Sequence, residues 1–390
     1  MKLFQKFILV FFFILFFAAI VFYAKGYRVD FKKKTIEPTG IIAVSSFPKA
    51  SSVYLNGKLV GATDINLNLK PGKWLVEVKK DGYTSWQKEV NLKEGVVISL
   101  NARLFPKNPS LKPLTSIGVA KAVRIDNLDK VLLFVQKGKD TDGVYLFEKS
   151  KNPIASKEKP KKLFYFSRYS SGKVEVESLI PIFSPDFRQF ILEFNKKQYL
   201  FSLNPEKEEV LEVTSSYDQL IAAWKKEEQE RKLDILKSFP RDFEKIASSS
   251  FEIISFSPDE TKLLYRPKRS FELPMFLSRP LSGSNPTPQA RDLKKGKLYV
   301  YDRKEDRNYL INFQMKTEPL WYIDSKRLIF IKDSSIVVVD YDGKNERTVY
   351  SGPFEKDFLV VTSDGNLLIL LNLNKKLNPY PDIYELIINS

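Results

Sequence analysis

The sequence predicts a mainly β protein: an N-terminal transmembrane helix, a small β-sandwich, then an irregular β-propeller with a helical insertion. Three observations point there. Residues 7–24 are one uninterrupted apolar run. Residues 40–106 alternate apolar and polar side chains between Gly-containing turns. From about residue 114 an aromatic position, a turn closing on Asp and an apolar strand recur together.

Composition bounds the chemistry. The 390-residue chain is 43% hydrophobic, enough to build cores for more than one domain. It contains no His and no Cys, so Ser-His-Asp and Cys-His arrangements, thiolate or imidazole metal sites and disulfides are excluded. Catalysis would have to come from carboxylates, Lys, Tyr, hydroxyls or an oxygen-ligated metal. The net charge of +16 suits anionic lipid heads, wall polymers or nucleic acid. Lys is spread through every segment, however, and no RNP-like, zinc-finger or basic-helix signature appears. This reads as a diffuse solvated surface, and neither a nucleic-acid partner nor a cofactor is expected.

The run FILVFFFILFFAAIVFYA has no charge, Pro or Gly. At about 1.5 Å per residue it covers roughly 27 Å, close to the roughly 30 Å of a hydrocarbon core. Lys2 and Lys6 precede it, and Tyr23 lies at the far edge, where aromatic rings suit the interface. Signal-peptide cleavage after Ala24 would put Phe22 where a small residue is needed. The segment therefore reads as an uncleaved signal-anchor over 1–25, with the bilayer as partner of residues 7–24, followed by a basic linker over 26–39. Lys25, Arg28, Lys32, Lys33 and Lys34 favour a cytoplasmic body, yet long domains translocate despite such charges. Charge alone leaves the orientation open.

In VYLNGKLVG (53–61), Asn56-Gly57 supplies the two positive-φ residues of a type I′ turn, predicting a hairpin of Val53–Leu55 with Lys58–Val60. Further strands centre on Ile42, Val76, Ile98 and Leu100, with turns at Pro71-Gly72, Asp81-Gly82 and Glu94-Gly95. About seven short strands make a small sandwich. The order of GIIAVSSFPKASSVYLNGKLVGAT, LKPGKWLVEVKKDGYTSWQKEVNLKEG and ARLFP resembles a PEGA domain over 40–106. The resemblance implies a non-catalytic sandwich common in prokaryotic envelope and surface-layer proteins, and so an extracytoplasmic body. Where the family has Pro-x-Gly-Ala, this chain has Pro48-Lys49-Ala50, which puts the turn before Ser51 in doubt. Asn56 reads as a turn residue. Tyr83 and Trp86 read as packing residues ahead of a carbohydrate platform.

The repeats of the propeller domain, 114–390, are FSPDFRQFILEF (183–194), FSPDETKLLYRP (256–267), WYIDSKRLIFIK (321–332) and VTSDGNLLILLN (361–372), with a weaker RIDNLDKVLLFV (124–135). Their turns close on Asp186, Asp259, Asp324 and Asp364. The strands GVYLFE, KLYVYD and SIVVVD follow several of them and end in an acid. About five blades result, and the series resembles TolB-type propellers. Only the spacing from Asp324 to Asp364 matches a standard repeat of about 40 residues, so the longer gaps hold insertions. One is helical, over 215–247, with Leu220, Ile221, Trp224, Leu233, Leu236 and Phe239 at helical spacing around a polar centre. Another, 278–297, is a Pro/Ser/Gly-rich flexible loop, and 148–162 is a basic connector. No copy fits the sialidase Asp box. Asp186 and Asp259 therefore read as turn-formers, and no catalytic, cofactor or metal residue is assigned.

The function expected from this organisation is a membrane-anchored, extracytoplasmic, non-catalytic binding or scaffold protein of the cell envelope. Its propeller would meet a protein or an anionic wall polymer. The alternatives are an envelope polysaccharide hydrolase or lyase using carboxylates on a propeller face, and a cytoplasm-facing tethered scaffold.

Overall fold

The computed structural model describes residues 2–24, 27–30, 35–125, 129–138, 141–150, 159–169, 174–207, 209–277, 281–315, 317–373, 375–376 and 378–389. The chain divides into two units, Met1–Phe105 with Leu277–Pro288, and Pro106–Phe276 with Gln289–Ser390.

The first unit opens with helix α1, Lys2–Ala24. Its described side chains, residues 4–18, 20 and 21, are all exposed. Among the described residues no helix is long and apolar enough to cross a membrane, so the transmembrane span expected over 7–24 is not found there. The side chains of 19 and 22–24 lie outside the described set. The stretch expected as a plain basic linker contains a hairpin, Tyr27–Asp30 with Thr35–Pro38 in the register Tyr27↔Pro38 to Asp30↔Thr35. Tyr, Val, Thr and Ile in these segments favour strand.

Residues 40–103 form seven strands in two sheets. In one, Gly40–Phe47 lies between Ile65–Leu69, antiparallel, and Val97–Arg103, parallel. The other has the order Lys58–Ala62, Ser52–Leu55, Gly72–Lys79, Trp86–Leu92. Period-two alternation sends Ile42, Val44, Val53, Val76, Val78, Trp86, Val90, Ile98 and Leu100 into one core. Burying each of these side chains stabilises by about 1.5–3 kcal/mol before chain entropy is counted. The hairpin turn has φ of 47° at Asn56 and 81° at Gly57, as a type I′ turn requires.

Among its described residues the second unit contains five four-stranded antiparallel sheets, numbered blades 1 to 5. Blade 1 comprises Lys121–Arg124, Lys130–Val135, Gly143–Glu148 and Lys161–Tyr165. Blade 2 comprises Ile182–Phe183, Gln189–Phe194, Lys197–Ser202 and Val210–Glu212. Blade 3 comprises Phe251–Phe256, Lys262–Pro267, Leu298–Asp302 and Arg307–Ile311. Blade 4 comprises Leu320–Trp321, Arg327–Lys332, Ser335–Asp340 and Arg347–Tyr350. Blade 5 takes Val360–Val361, Leu367–Leu371 and Asp382–Ile387 from the C-terminal end. Its fourth strand is Ser110–Pro113, paired from Ser110↔Ile387 to Pro113↔Tyr384. The start and the end of this unit thus share one sheet, a propeller-like closure that cannot be read from either segment alone.

Blade packing explains why the second strands are continuous apolar runs. In KVLLFV, Leu132 and Phe134 point into a core shared with Phe190 and Leu192 of blade 2. The alternate residues Val131 and Leu133 point into a core shared with Leu368 and Leu370 of blade 5. Each face of the strand meets a neighbouring blade, so neither face can be polar. Leu264 likewise joins Leu328 and Phe330 of blade 4, while Leu263 and Tyr265 turn toward the helical insertion.

That insertion is two helices, α2 (Tyr217–Leu236) and α3 (Arg241–Ser250). Leu236, Phe239, Phe243 and Ala247 are buried, and Phe243 stacks on Tyr301 at 3.8 Å between ring centroids. The N-terminal half of α2 is looser: Leu220, Ile221 and Trp224 are half-buried and 225–230 exposed. The segment expected as a flexible loop over 278–297 contains a short strand near its end. Asp292–Leu293 pairs with Phe271–Glu272, because Leu293 is fully buried in the helical core and Arg291 forms an ion pair with Asp306 at 2.8 Å. Residues 278–280 lie outside the described set, as do 151–158 of the basic connector.

Candidate functional site

The Asp turns lie between the first and second strands of their blades, and their side chains are tied locally. Ser184 Oγ and Ser257 Oγ donate to Asp186 Oδ1 and Asp259 Oδ1, each at 2.7 Å, and Thr362 Oγ1 donates to Asp364 Oδ1 at 2.5 Å. The backbone N–H two residues on donates to the same carboxylate, from Arg188 at 3.0 Å, Thr261 at 3.2 Å and Lys326 (to Asp324) at 2.9 Å. Such bonds close an Asx turn. The next residue in each turn is left-handed, with φ of 53° at Phe187, 54° at Glu260, 58° at Ser325 and 83° at Gly365.

Hydrogen bonding sets the charge of these acids. The Ser184 hydroxyl holds Asp186 below the ordinary carboxylate range. At Asp259 burial pushes upward but is outweighed by the Ser257 and Thr261 hydroxyls, which leave the group at about 2. At Asp364 burial is outweighed by Lys149 and Thr362, and the group is again lowered. All three are anions at neutral pH, so none is poised to donate a proton as a general acid.

The acids that end the third strands meet a cation that opens the second strand, a partner that sequence reasoning missed. Lys130 faces Glu148 at 3.6 Å, Lys262 faces Asp302 at 3.6 Å and Arg327 faces Asp340 at 3.3 Å, each pair sharing one position of the strand register. In blade 5 the acid lies inside the third strand, where Asn366 Nδ2 donates to Glu385 Oε1 at 2.8 Å. The signal was available as a basic residue opening KVLLFV, KLLYRP and RLIFIK.

The turns also stitch neighbouring blades. The Asp259 N–H donates to Ser325 Oγ at 3.0 Å, from blade 3 to blade 4. Tyr322 OH donates to the Gly365 carbonyl at 2.8 Å, from blade 4 to blade 5. Between blades 5 and 1, the Ser363 N–H donates to Asp129 Oδ1 at 2.8 Å. At the same junction Lys149 Nζ lies 2.6 Å from Asp364 Oδ2 and 2.5 Å from Glu385 Oε1. Burial lowers the Lys149 pKa, but both carboxylates outweigh it, and the net shift is upward.

Between blades 1 and 2 the same turns line an open groove of about 1330 Å³, extending to Ser363 of blade 5. Asp129, Lys130, Glu148, Lys149, Lys159 and Lys161 stand on the blade 1 side; Asp186, Arg188, Asn204, Glu206, Lys207 and Glu209 stand on the blade 2 side. Among the described residues no group of three or more His, Cys, Asp or Glu side chains is placed to hold a metal ion.

In the sandwich, Asn56 Oδ1 accepts the Leu75 N–H at 2.9 Å and is thereby committed to the fold. Trp86 is buried and Tyr83 packs on the same core, so the two do not form an open stacking platform. Residues 39–108 match the PEGA domain family. This segment is a PEGA domain. The turn in doubt there keeps its left-handed residue, with φ of 53° at Ala50. No curated protein sequence matches the chain.

Among solved structures the chain is similar to a putative TolB from Agrobacterium tumefaciens, at 10% identity over 87% of this chain and 99% of that one, with a TM-score of 0.19. It is also similar to dipeptidyl peptidase 4 of Porphyromonas gingivalis, at 11% identity over 77% of this chain and 43% of that one, with a TM-score of 0.18. For Kluyveromyces lactis Hsv2 the identity is 8% over 90% and 98%, with a TM-score of 0.18. At such scores the likeness carries no argument about function.

Proposed function

We propose that this protein is a membrane-anchored, extracytoplasmic binding or scaffold protein of the cell envelope, non-catalytic, whose propeller-like unit presents a surface to a partner. The observation that carries the reading is the groove between blades 1 and 2, a broad polar opening between packed sheets. Two further observations support it. The turn carboxylates that could have served catalysis are hydrogen-bonded anions, and the chain has no His or Cys.

Anchoring rests on the exposed Phe, Leu and Ile side chains of α1, which would cost about 25 cal/mol per Å² of apolar surface if left in water. An apolar run of this kind is stabilised by lipid. An outward-facing body rests on the PEGA domain behind the helix. The basic residues Lys25, Arg28 and Lys32–Lys34 favour the opposite, cytoplasm-facing arrangement.

Two assays test the proposal together. After an alkaline carbonate wash the full chain should remain in the membrane pellet, and the detergent-solubilised protein should leave purified wall polymer uncut. Release into the wash removes the anchor, and cleavage of the polymer removes the non-catalytic reading.

A further inference from the structure

The groove between blades 1 and 2 has a charge pattern that says more than its size. Lys159 and Lys161 are exposed on the blade 1 side and have no carboxylate partner among the described residues. Across from them, Glu206 and Glu209 are exposed on either side of Lys207, and neither has a cation partner among the described residues. Of the other charges in the lining, Lys130 faces Glu148, Lys149 lies between Asp364 and Glu385, Arg188 faces Asp186 at 3.6 Å, and Asp129 Oδ1 accepts the Ser363 N–H. Among the described residues, Lys159 and Lys161 are thus the unpaired cations of one side, and Glu206 and Glu209, with Lys207 between them, the unpaired acids of the other.

Between the two sides lie groups that both donate and accept hydrogen bonds: Ser150, Gln189, Ser202, Asn204 and Ser363. Apolar contact is sparse and scattered, from Ile125, Leu146, Phe187 and Leu203.

We propose that this groove receives an extended peptide segment of a protein partner, acidic side chains toward Lys159 and Lys161 and basic side chains toward Glu206 and Glu209. The inference rests on the binding reading above and narrows its partner to a polypeptide. Size argues against a small molecule, because 1330 Å³ exceeds the roughly 300–1,000 Å³ of pockets that enclose one. Such pockets are also mostly apolar, and this one is not. A uniform polyanion would have to lie against Glu206 and Glu209, a like-charge contact that costs rather than stabilises. An uncharged polysaccharide would need aromatic faces to stack on, and Phe187 alone supplies one. A peptide suits the lining, because its backbone N–H and C=O groups need partners wherever they leave water. The charges are exposed, so they set orientation and encounter rate more than raw affinity.

The test uses the full chain in detergent micelles and fluorescence anisotropy with labelled probes. These are a peptide with a Glu-rich and a Lys-rich half, the same peptide with its halves exchanged, poly-glutamate and polyphosphate. Two double variants are compared with the wild type, Lys159→Glu with Lys161→Glu, and Glu206→Lys with Glu209→Lys, together with the fourfold combination. All four positions are exposed, so the variants should fold, and circular dichroism checks that they do. The wild type should bind one of the two-half peptides, either double variant should weaken it about tenfold, and the fourfold variant should recover binding with the halves exchanged. Tighter binding of poly-glutamate or polyphosphate than of either peptide overturns the peptide inference and leaves the wider binding reading intact. Peptide binding untouched by every variant also overturns it, by placing the site elsewhere. Binding of no probe overturns it as well: a specific crosslink from the body to another envelope component would then preserve the wider reading, and the lack of one would remove both.

Discussion

Ala50 occupies a backbone conformation, φ 53°, that costs an L-residue with a Cβ about 1–2 kcal/mol. The PEGA domain therefore keeps its turn while carrying a strained residue. Ala50→Gly should stabilise the sandwich by about 0.5–1 kcal/mol, less than the full strain because Gly also loosens the unfolded chain. Slower hydrogen exchange at Val53 and Leu55, in the adjoining strand, would register the gain, and faster exchange would contradict it.

Asp259 carries a pH signature at the same scale. Its folded pKa of about 2 lies below the roughly 3.9 of an unfolded Asp. Its contribution to stability is therefore complete above about pH 4 and is lost as pH falls toward 2. Asp259→Asn should flatten the acid limb of a stability-versus-pH curve in that window and leave the neutral region parallel to the wild type. An unchanged acid limb would mean that the Ser257 and Thr261 hydroxyls do not hold the carboxylate in solution.

At the scale of elements, the closure of blade 5 onto blade 1 depends on few groups. Lys149 is the cation that balances Asp364 and the buried Glu385, whose side chain is 6% exposed. Lys149→Met should leave Glu385 with only the Asn366 amide and cost about 3 kcal/mol, as removing one member of a buried pair does. The loss should appear first as faster exchange in Ser110–Pro113 and Asp382–Ile387, the strands that join the two ends of the unit. Uniform loosening of all five blades would instead say that the ring opens as one cooperative body.

What could be read from the chain follows the range of the interaction. The Asn56-Gly57 hairpin and the Ser-Pro-Asp turns are local chemistry, complete within four or five residues, and stand out in the sequence. The pairing of Lys262 with Asp302 is not local. It spans an insertion whose length no pattern predicts, and only the strand register brings the two together. The fourth strand of blade 5 was hidden for the same reason, since Ser110–Pro113 finds its partner at the far end of the chain. The groove was the least legible feature of all. Its lining comes from Lys159 and Lys161, from Glu206 and Glu209, and from Ser363, residues with no shared motif. A two-residue strand such as Ile182–Phe183 also carries too little sequence to show a period, which is why the repeats look irregular.

At the scale of the whole molecule, three parts have different physical reasons to exist. The N-terminal helix leaves its described apolar side chains exposed, which is what the proposed anchoring rests on. The PEGA domain has a closed core and no free binding groups among the residues singled out from the sequence: Asn56 and Trp86 are spent on the fold. The propeller-like unit holds the groove. Under the proposed function, binding falls to the last part and anchoring to the first.

Protease treatment of intact cells, followed by detection of both ends of the chain, tests this arrangement most directly. An anchored outward body predicts that the C-terminal end is digested without lysis, while a fragment carrying the N-terminal helix stays with the membrane. A body that survives intact until the cells are broken, or one recovered whole in the medium, would contradict it.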